Sequence, residues 1–267
     1  MKSDKEIQLR LKQASGVNDI YSTLRIVEIS VVDSCNRTCS FCPHDDINYT
    51  FRYGRADLKL FETISNQLIE RDYTGYIAIC GYGEPTMYKQ LIEAVSILRK
   101  TKAKIDLITN GELLTKQKVN ELFLAGLDIL TISLYEEQYI EHTNKLVEGL
   151  HESQYLIRNR YLNQISVVNR REILHNHGDI ERTSECWLPS YKMLINHDGN
   201  VLLCCNDWTR TNTYGNVYQQ SLWDIWTTNM NEKRQNLLNG IIEGVCKKCD
   251  VNGTDYGKES SDFYRRN

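Results

Sequence analysis

Long apolar runs are missing from this 267-residue chain: none approaches the roughly 20 residues that a membrane-spanning helix needs. The opening stretch MKSDKEIQLRLKQ carries charges where a signal peptide carries an apolar core, so no secretion is expected and a cytoplasmic location is. A surplus of positive charge is missing too. Thirty-two Lys and Arg stand against 35 Asp and Glu, a formal charge of −3, which argues against a nucleic-acid partner. Short basic pairs such as Arg170–Arg171 and Lys247–Lys248 read as solvated surface. What the chain does have is 41% hydrophobic residues, enough to bury a sizeable core, and nine cysteines.

Nine is an odd number, and a reducing compartment disfavours disulfides, so the cysteines need another reason. Cys80, alone in the apolar run YIAIC, fits a core residue. Cys35, Cys39 and Cys42 in CNRTCSFC, and Cys246 and Cys249 in CKKC, are clustered and fit metal ligands better. A structural zinc ion wants four ligands, and the first cluster supplies three; His44 is near but crowds the same turn. Three thiolates on a 4Fe–4S cluster leave one iron open to a small chelating molecule.

The spacing C-x₃-C-x-Φ-C, with Phe41 before the third cysteine and the β-branched run LRIVEISVV (24 to 32) ahead of it, resembles the signature of radical S-adenosylmethionine (SAM) enzymes. The resemblance implies that the open iron binds the amino and carboxylate groups of SAM, and that one electron cleaves it to a 5′-deoxyadenosyl radical. GYGEP (81 to 85) resembles the family's Gly-Gly-Glu-Pro motif, with Tyr82 standing where a glycine is usual. It implies SAM contacts from Gly81, Gly83 and Glu84. Asn110 in TNG and Ser133 in TISL close the third and fourth strands and carry the same implication. The acidic residue that often follows that serine in the family is absent here.

Strand and helix patterns alternate along the first half. ADLKLFETISNQLIE has apolar residues at helical spacing with Asp57 as N-cap, and TKQKVNELFLAG ends at Gly126 in a C-cap position. YKQLIEAVSILRK and EEQYIEHTNKLVEGL are further helices, the last with Ile140, Val147 and Leu150 on one side. GYIAIC, KIDLITNG and LDILTISL are the intervening strands, and QYLIRNRY and QISVVNR are a fifth and sixth with little room for a helix between. Right-handed βαβ crossovers at these spacings make a parallel sheet curling into an open, partial α/β barrel.

The second half differs. YKMLINHDGNVLLCC reads as a hairpin around Asp198–Gly199, and Ser221 caps a helix whose apolar face holds Leu222, Ile225 and Trp226. Cys186, Cys204, Cys246 and Cys249 make four thiolates. That layout resembles the short "twitch" form of the SPASM extension, which implies one auxiliary 4Fe–4S cluster; Cys₄ also suits zinc. The expected division is an N-terminal extension (1–23), a radical SAM partial barrel (24–171) and a small hairpin-plus-helix iron–sulfur domain (172–267), its polar C-terminus at the surface.

The resemblance thus implies two 4Fe–4S clusters and SAM, served by a low-potential electron donor such as flavodoxin or ferredoxin. Expected is oxidation of a carbinol C–H on a small polar substrate, a sugar or aminocyclitol, with a short peptide as a further option. Arg170, at the end of the sixth strand, is the candidate grip on the substrate hydroxyl. An epimerase is the alternative, with Cys205 returning a hydrogen atom and Cys80 as a second donor candidate. Alternate strand residues point to opposite faces, so Cys204 and Cys205 are not expected to share one cluster. A non-catalytic iron–sulfur or zinc scaffold stays open. His175 and His177 read as loop.

Overall fold

Strands of alternating character set the architecture. In the computed structural model, which describes residues 16–46, 49–50, 52–161 and 181–266, eight strands form one open sheet in the order β5-β4-β3-β2-β1-β6-β7-β8. β1 (Ile26–Ser30), β2 (Tyr76–Cys80), β3 (Lys104–Thr109), β4 (Ile129–Leu134), β5 (Tyr155–Asn159) and β6 (Lys192–Asn196) run parallel. β7 (Asn200–Leu202) and β8 (Thr213–Asn216) add antiparallel at one edge. The expected sixth strand (164 to 170) and the expected boundary near residue 171 lie outside the described residues.

One face of each parallel strand is aliphatic. Val27, Ile29, Ile77, Ile79, Ile105, Leu107, Leu130, Ile132, Met193 and Ile195 are fully buried in one core. The crossover helices α1 (Leu58–Ile69), α2 (Leu91–Leu98), α3 (Lys116–Ala125) and α4 (Ile140–Val147) cover that face. Leu60, Phe61, Ile64, Leu68, Leu91, Val95, Leu98, Val119 and Leu122 fill it from the helix side. Each such side chain contributes about 1.5–3 kcal/mol on burial. Asp57 accepts from Leu60 N at 2.9 Å and caps α1, and Gly126 ends α3 at φ +111°, where only glycine is unstrained. α4 departs from expectation: it buries Thr143, Leu146 and Val147, while Ile140, at its first position, is 40% exposed.

The opposite face is mixed. One step out of phase with the core, Glu28, Ser30, Asp106, Thr131, Ser133, Arg158, Lys192 and Asn196 are polar, while Ile26, Tyr76, Ala78, Ile108, Ile129 and Leu194 are not. Parallel sheets are ordinarily apolar on both faces because both are covered. A charged inner face on a curled sheet marks a site rather than a core.

The second half joins the same sheet. β6 pairs with β1 along all five residues, Ile26 opposite Lys192 through Ser30 opposite Asn196, so the hairpin extends the barrel wall. Gly199 turns it at φ +82°. The helix after Ser221 is not continuous: α5 (Leu222–Asp224) runs into a π-turn at Ile225–Asn229 and then α6 (Asn231–Leu238). The C-terminus is not loose surface either. α7 (Lys258–Arg266) buries Ser260, Ser261 and Tyr264. The Tyr264 hydroxyl meets Thr23 Oγ1 at 2.9 Å, and Arg234 stacks between Trp226 and Tyr264, its centre 4.2 and 4.3 Å from the rings. Burial draws the Arg234 guanidinium down to about 10. No helix among the described residues is long and apolar enough to cross a membrane.

Candidate active site between two cysteine sets

The loop after β1 carries Cys35, Cys39 and Cys42 at the C-terminal end of the parallel strands, where open α/β sheets place their ligands. Arg37 organises it. Its backbone N–H and its Nε each lie 3.4 Å from a thiol sulfur, those of Cys35 and Cys39. Its guanidinium forms ion pairs with Glu112 after β3 and Glu136 after β4, and sits 5.4 Å from the Tyr135 ring. Burial pushes the Cys35 thiol up, and Glu84 and Cys39 add to this against the Arg37 N–H. Three thiolates here therefore call for a cationic partner.

The GYGEP loop after β2 lies against that loop. A Cβ on Gly83 would stand 2.4 Å from Ser34 O and 2.5 Å from Val32 O, and Glu84 N donates to Ser34 O at 2.9 Å. Gly81 takes φ +128°, with Ser30 Oγ 2.2 Å from where a Cβ would be. Glu84 is buried. Its Oε1 accepts from Thr86 N (3.0 Å), Thr86 Oγ1 (2.7 Å) and Thr109 Oγ1 (2.5 Å), and its Oε2 from Asn110 N (2.9 Å). The bonds crowd onto Oε1, and Oε2, with the Asn110 N–H alone of these four donors, is the oxygen with room for a further one. The Asn110 side chain donates to Asn36 Oδ1 at 2.8 Å, tying β3 to the cysteine loop. Phe41 meets Tyr135 with ring centroids 5.2 Å apart, and buried Ser133 hydrogen-bonds Tyr135, whose hydroxyl is pushed up by burial. Phe41, Gly81, Gly83, Glu84, Asn110 and Ser133 are thus gathered around the three-cysteine loop.

Tyr82 is where the second half reaches this loop. Its hydroxyl donates to Asp207 O at 2.9 Å, its ring meets Trp208 at 4.9 Å, and Arg210 stacks 4.2 Å from the ring centre. His44 joins from the cysteine side, its Nε2 2.7 Å from Tyr82 O. Below them Asp33 is held by His197 at 2.9 Å and by Arg210. Burial would raise the Asp33 carboxyl, but those two hydrogen bonds prevail and keep it well below the usual carboxylate range.

Cys186, Cys204, Cys246 and Cys249 line one small cavity walled by Leu188, Pro189, Leu203, Leu237 and Val251. All four are buried, and burial, with Cys249 and Cys246 nearby, pushes the Cys186 thiol up to about 11. Arg182 braces the loops, donating to Ser184 O at 2.9 Å and Val251 O at 2.6 Å. Among the described residues no three or more Cys, His, Asp or Glu side chains converge on a single-ion site. Zinc requires all four sulfurs about 2.3 Å from one point. A 4Fe–4S cluster binds each thiolate through a different iron, so thiols spread around a cavity suit it better. For Cys35, Cys39 and Cys42 the donor chemistry and the surroundings carry the fit to such a cluster.

Against the four-thiol cavity lies a larger one of about 590 Å³ on the inner face, within the range of small-molecule sites. Leu188, Asn206 and Val251 border both cavities. Cys205 lines the large one and Cys204 the small one, so the adjacent cysteines serve different spaces. On its floor Lys192 pairs with buried Glu28, and Nζ approaches Cys205 Sγ at 3.8 Å. Burial works against the Lys192 charge, but Cys205, Glu28 and Cys80 outweigh it and hold the ammonium well above the ordinary lysine value. Asp106, Arg158 and Arg160 also line the cavity, and Thr131 Oγ1 donates to Asp106 at 2.8 Å. Cys80 is enclosed next to this group, its thiol pushed up by burial and then by Glu28. Arg170, His175 and His177 lie outside the described residues. Sequence reasoning missed Arg37, Glu28 and Lys192. The signal for the last two was present: a charge at an alternate position of an otherwise apolar strand, in VEIS and in YKMLIN.

Comparison with known proteins gives two family matches: residues 29–138 with the radical SAM superfamily and residues 186–250 with SPASM, an iron–sulfur cluster-binding domain. The S-adenosyl-L-methionine-dependent 2-deoxy-scyllo-inosamine dehydrogenase of Niallia circulans is 28% identical over 84% of this chain and 92% of its own length. The crystal structure of BtrN in complex with AdoMet and 2-DOIA superposes with a TM-score of 0.75 and 26% identity, covering 85% of this chain and 93% of that one. A probable GTP 3′,8-cyclase of Sulfolobus acidocaldarius is 33% identical, over 45% of this chain and 37% of its own.

Proposed function

The chain is a radical SAM enzyme with a SPASM-type iron–sulfur domain, and from that premise we propose that it dehydrogenates a carbinol carbon of a small polar substrate, a sugar or aminocyclitol. The likeness to a 2-deoxy-scyllo-inosamine dehydrogenase along nearly the whole chain supports the substrate class. The single observation that carries the reading is the inner cavity, with charged side chains set among apolar ones, sharing a wall with the four-thiol cavity. When bound, the cofactors supply a 5′-deoxyadenosyl radical from SAM and a second iron–sulfur centre that accepts an electron.

The chain's own residues take the remaining roles. Cys35, Cys39 and Cys42 hold the SAM-binding 4Fe–4S cluster, and Cys186, Cys204, Cys246 and Cys249 an auxiliary 4Fe–4S cluster. Glu84 Oε2, with the Gly81 and Gly83 backbone, receives the ammonium of SAM; Asn110, Ser133 and Phe41 border the rest of it. A hydroxyl becoming a ketone must lose its proton, and the Asp106 and Asp255 carboxylates on the cavity wall are bases of the right kind. Arg170 is the proposed grip on that hydroxyl. Electrons arrive from a flavodoxin- or ferredoxin-type donor.

One observation favours a second reading: Cys205 faces the substrate cavity, where a thiol is placed to return a hydrogen atom as in an epimerase. Anaerobic turnover of an aminocyclitol in deuterated buffer separates them. Dehydrogenation gives a ketone with one SAM consumed; solvent deuterium fixed on carbon, without ketone, overturns the dehydrogenase in favour of the epimerase.

A further inference from the structure

The wall between β1 and β6 carries an unusual expense. Lys192 and Glu28 form an ion pair on the inner face of a parallel sheet, with side chains only 18% and 5% exposed. Removing two charges from water is costly, and apolar replacements of similar volume often serve stability as well or better. The pair therefore wants a reason beyond folding. Lys192 borders the 590 Å³ cavity, and Glu28 stands behind it as counter-ion. An ammonium has three N–H donors. One is directed at Glu28 and one at Cys205 Sγ, which leaves one for the cavity.

Charge narrows what that donor meets. Among the described residues the cavity is lined by Lys192, Arg158 and Arg160 on one side of the balance and by Asp106 and Asp255 on the other; with Glu28 behind Lys192 and Lys258 beside Asp255, the signs nearly cancel. A nearly balanced lining, with its most buried cation already paired to Glu28, attracts no polyanion strongly. It suits a ligand with many hydroxyls, each both donor and acceptor, and at most one ammonium.

We propose that Lys192, held by Glu28, is the polyol-gripping residue of the inner cavity, and that the neutralised pair selects an uncharged or singly amino-substituted polyol over a polyanionic nucleotide. The proposal rests on reading this cavity as the substrate site, but not on the oxidation itself. Lys192 donates to a ring hydroxyl oxygen, and Glu28 keeps the ammonium from attracting phosphate.

The test is anaerobic calorimetric titration of the fully reconstituted, SAM-loaded protein with scyllo-inosamine, myo-inositol monophosphate and GTP. Wild type should bind scyllo-inosamine at least tenfold more tightly than either phosphorylated ligand. Lys192→Met should lose at least tenfold in scyllo-inosamine affinity, as should the charge-neutral double variant Lys192→Met/Glu28→Gln, which removes the burden of an unpaired carboxylate. Iron content should be unchanged in both. Glu28→Gln should gain at least tenfold for myo-inositol monophosphate. A double variant with wild-type scyllo-inosamine affinity overturns the assignment, as does wild type preferring GTP or no gain of phosphate binding in Glu28→Gln. Ketone formation is scored separately. A wild type that binds the polyol but never oxidises it sinks the dehydrogenase, while loss of binding in the double variant still upholds the grip.

Discussion

The two cysteine sets are built from opposite materials. Cys35, Cys39 and Cys42 sit on a loop braced by charge, through Arg37 with Glu112 and Glu136, and two of the three thiols are partly exposed. Cys186, Cys204, Cys246 and Cys249 are all buried, among Leu188, Leu203 and Leu237. A polar, accessible loop suits a centre that must admit a ligand at an open position. An apolar enclosure with four thiols suits a centre that is coordinatively closed and exchanges only electrons, because burial excludes water from it.

The sharpest way to break this contrast is to delete one set. Cys35→Ala/Cys39→Ala/Cys42→Ala should abolish 5′-deoxyadenosine formation and lower reconstituted iron from about eight to about four per chain, by the stoichiometry of two 4Fe–4S clusters. Anaerobic iron analysis with product chromatography checks it; SAM cleavage persisting in the triple variant would end the assignment of that loop. Next in size is the pair of neighbours in the second set. Cys204→Ala should lose about four irons, whereas Cys205→Ala should keep full iron and still form ketone. Equal iron in both variants contradicts their facing different cavities.

The joint between the halves offers two smaller effects. Asp33→Asn leaves Arg210 buried without its carboxylate and should cost about 3–5 kcal/mol in denaturant unfolding. The sign of its pH dependence follows from the depressed carboxyl. The folded state binds fewer protons there than the unfolded chain, so this contribution is fully present above about pH 4 and fades as pH falls further. Wild type should lose stability below that point more steeply than Asp33→Asn. Smallest is Tyr82→Phe, which removes only the hydrogen bond to Asp207 O and should cost about 0.5–1.5 kcal/mol. Tyr82→Gly, which restores the family's usual glycine, should cost more by emptying the space against Trp208 and Arg210.

Much of this molecule was legible in its residues because the relevant physics is local. The first five strand patterns, the Asp57 and Ser221 caps, the left-handed Gly126 and the Asp198–Gly199 turn each depend on neighbours a few positions away, and each stands in the structure. The cysteine spacing belongs with them, since it is a property of eight consecutive residues. What only the tertiary structure decided involves partners far apart in the chain. Nothing in a periodic pattern places β6 beside β1, so the Glu28–Lys192 pair stayed hidden although both charges were visible. The reach of Tyr82 to Asp207, 125 positions on, was hidden for the same reason, and so was the docking of a polar C-terminal helix on Thr23 and Arg234. Periodicity says which face of an element is buried; only packing in three dimensions says against what.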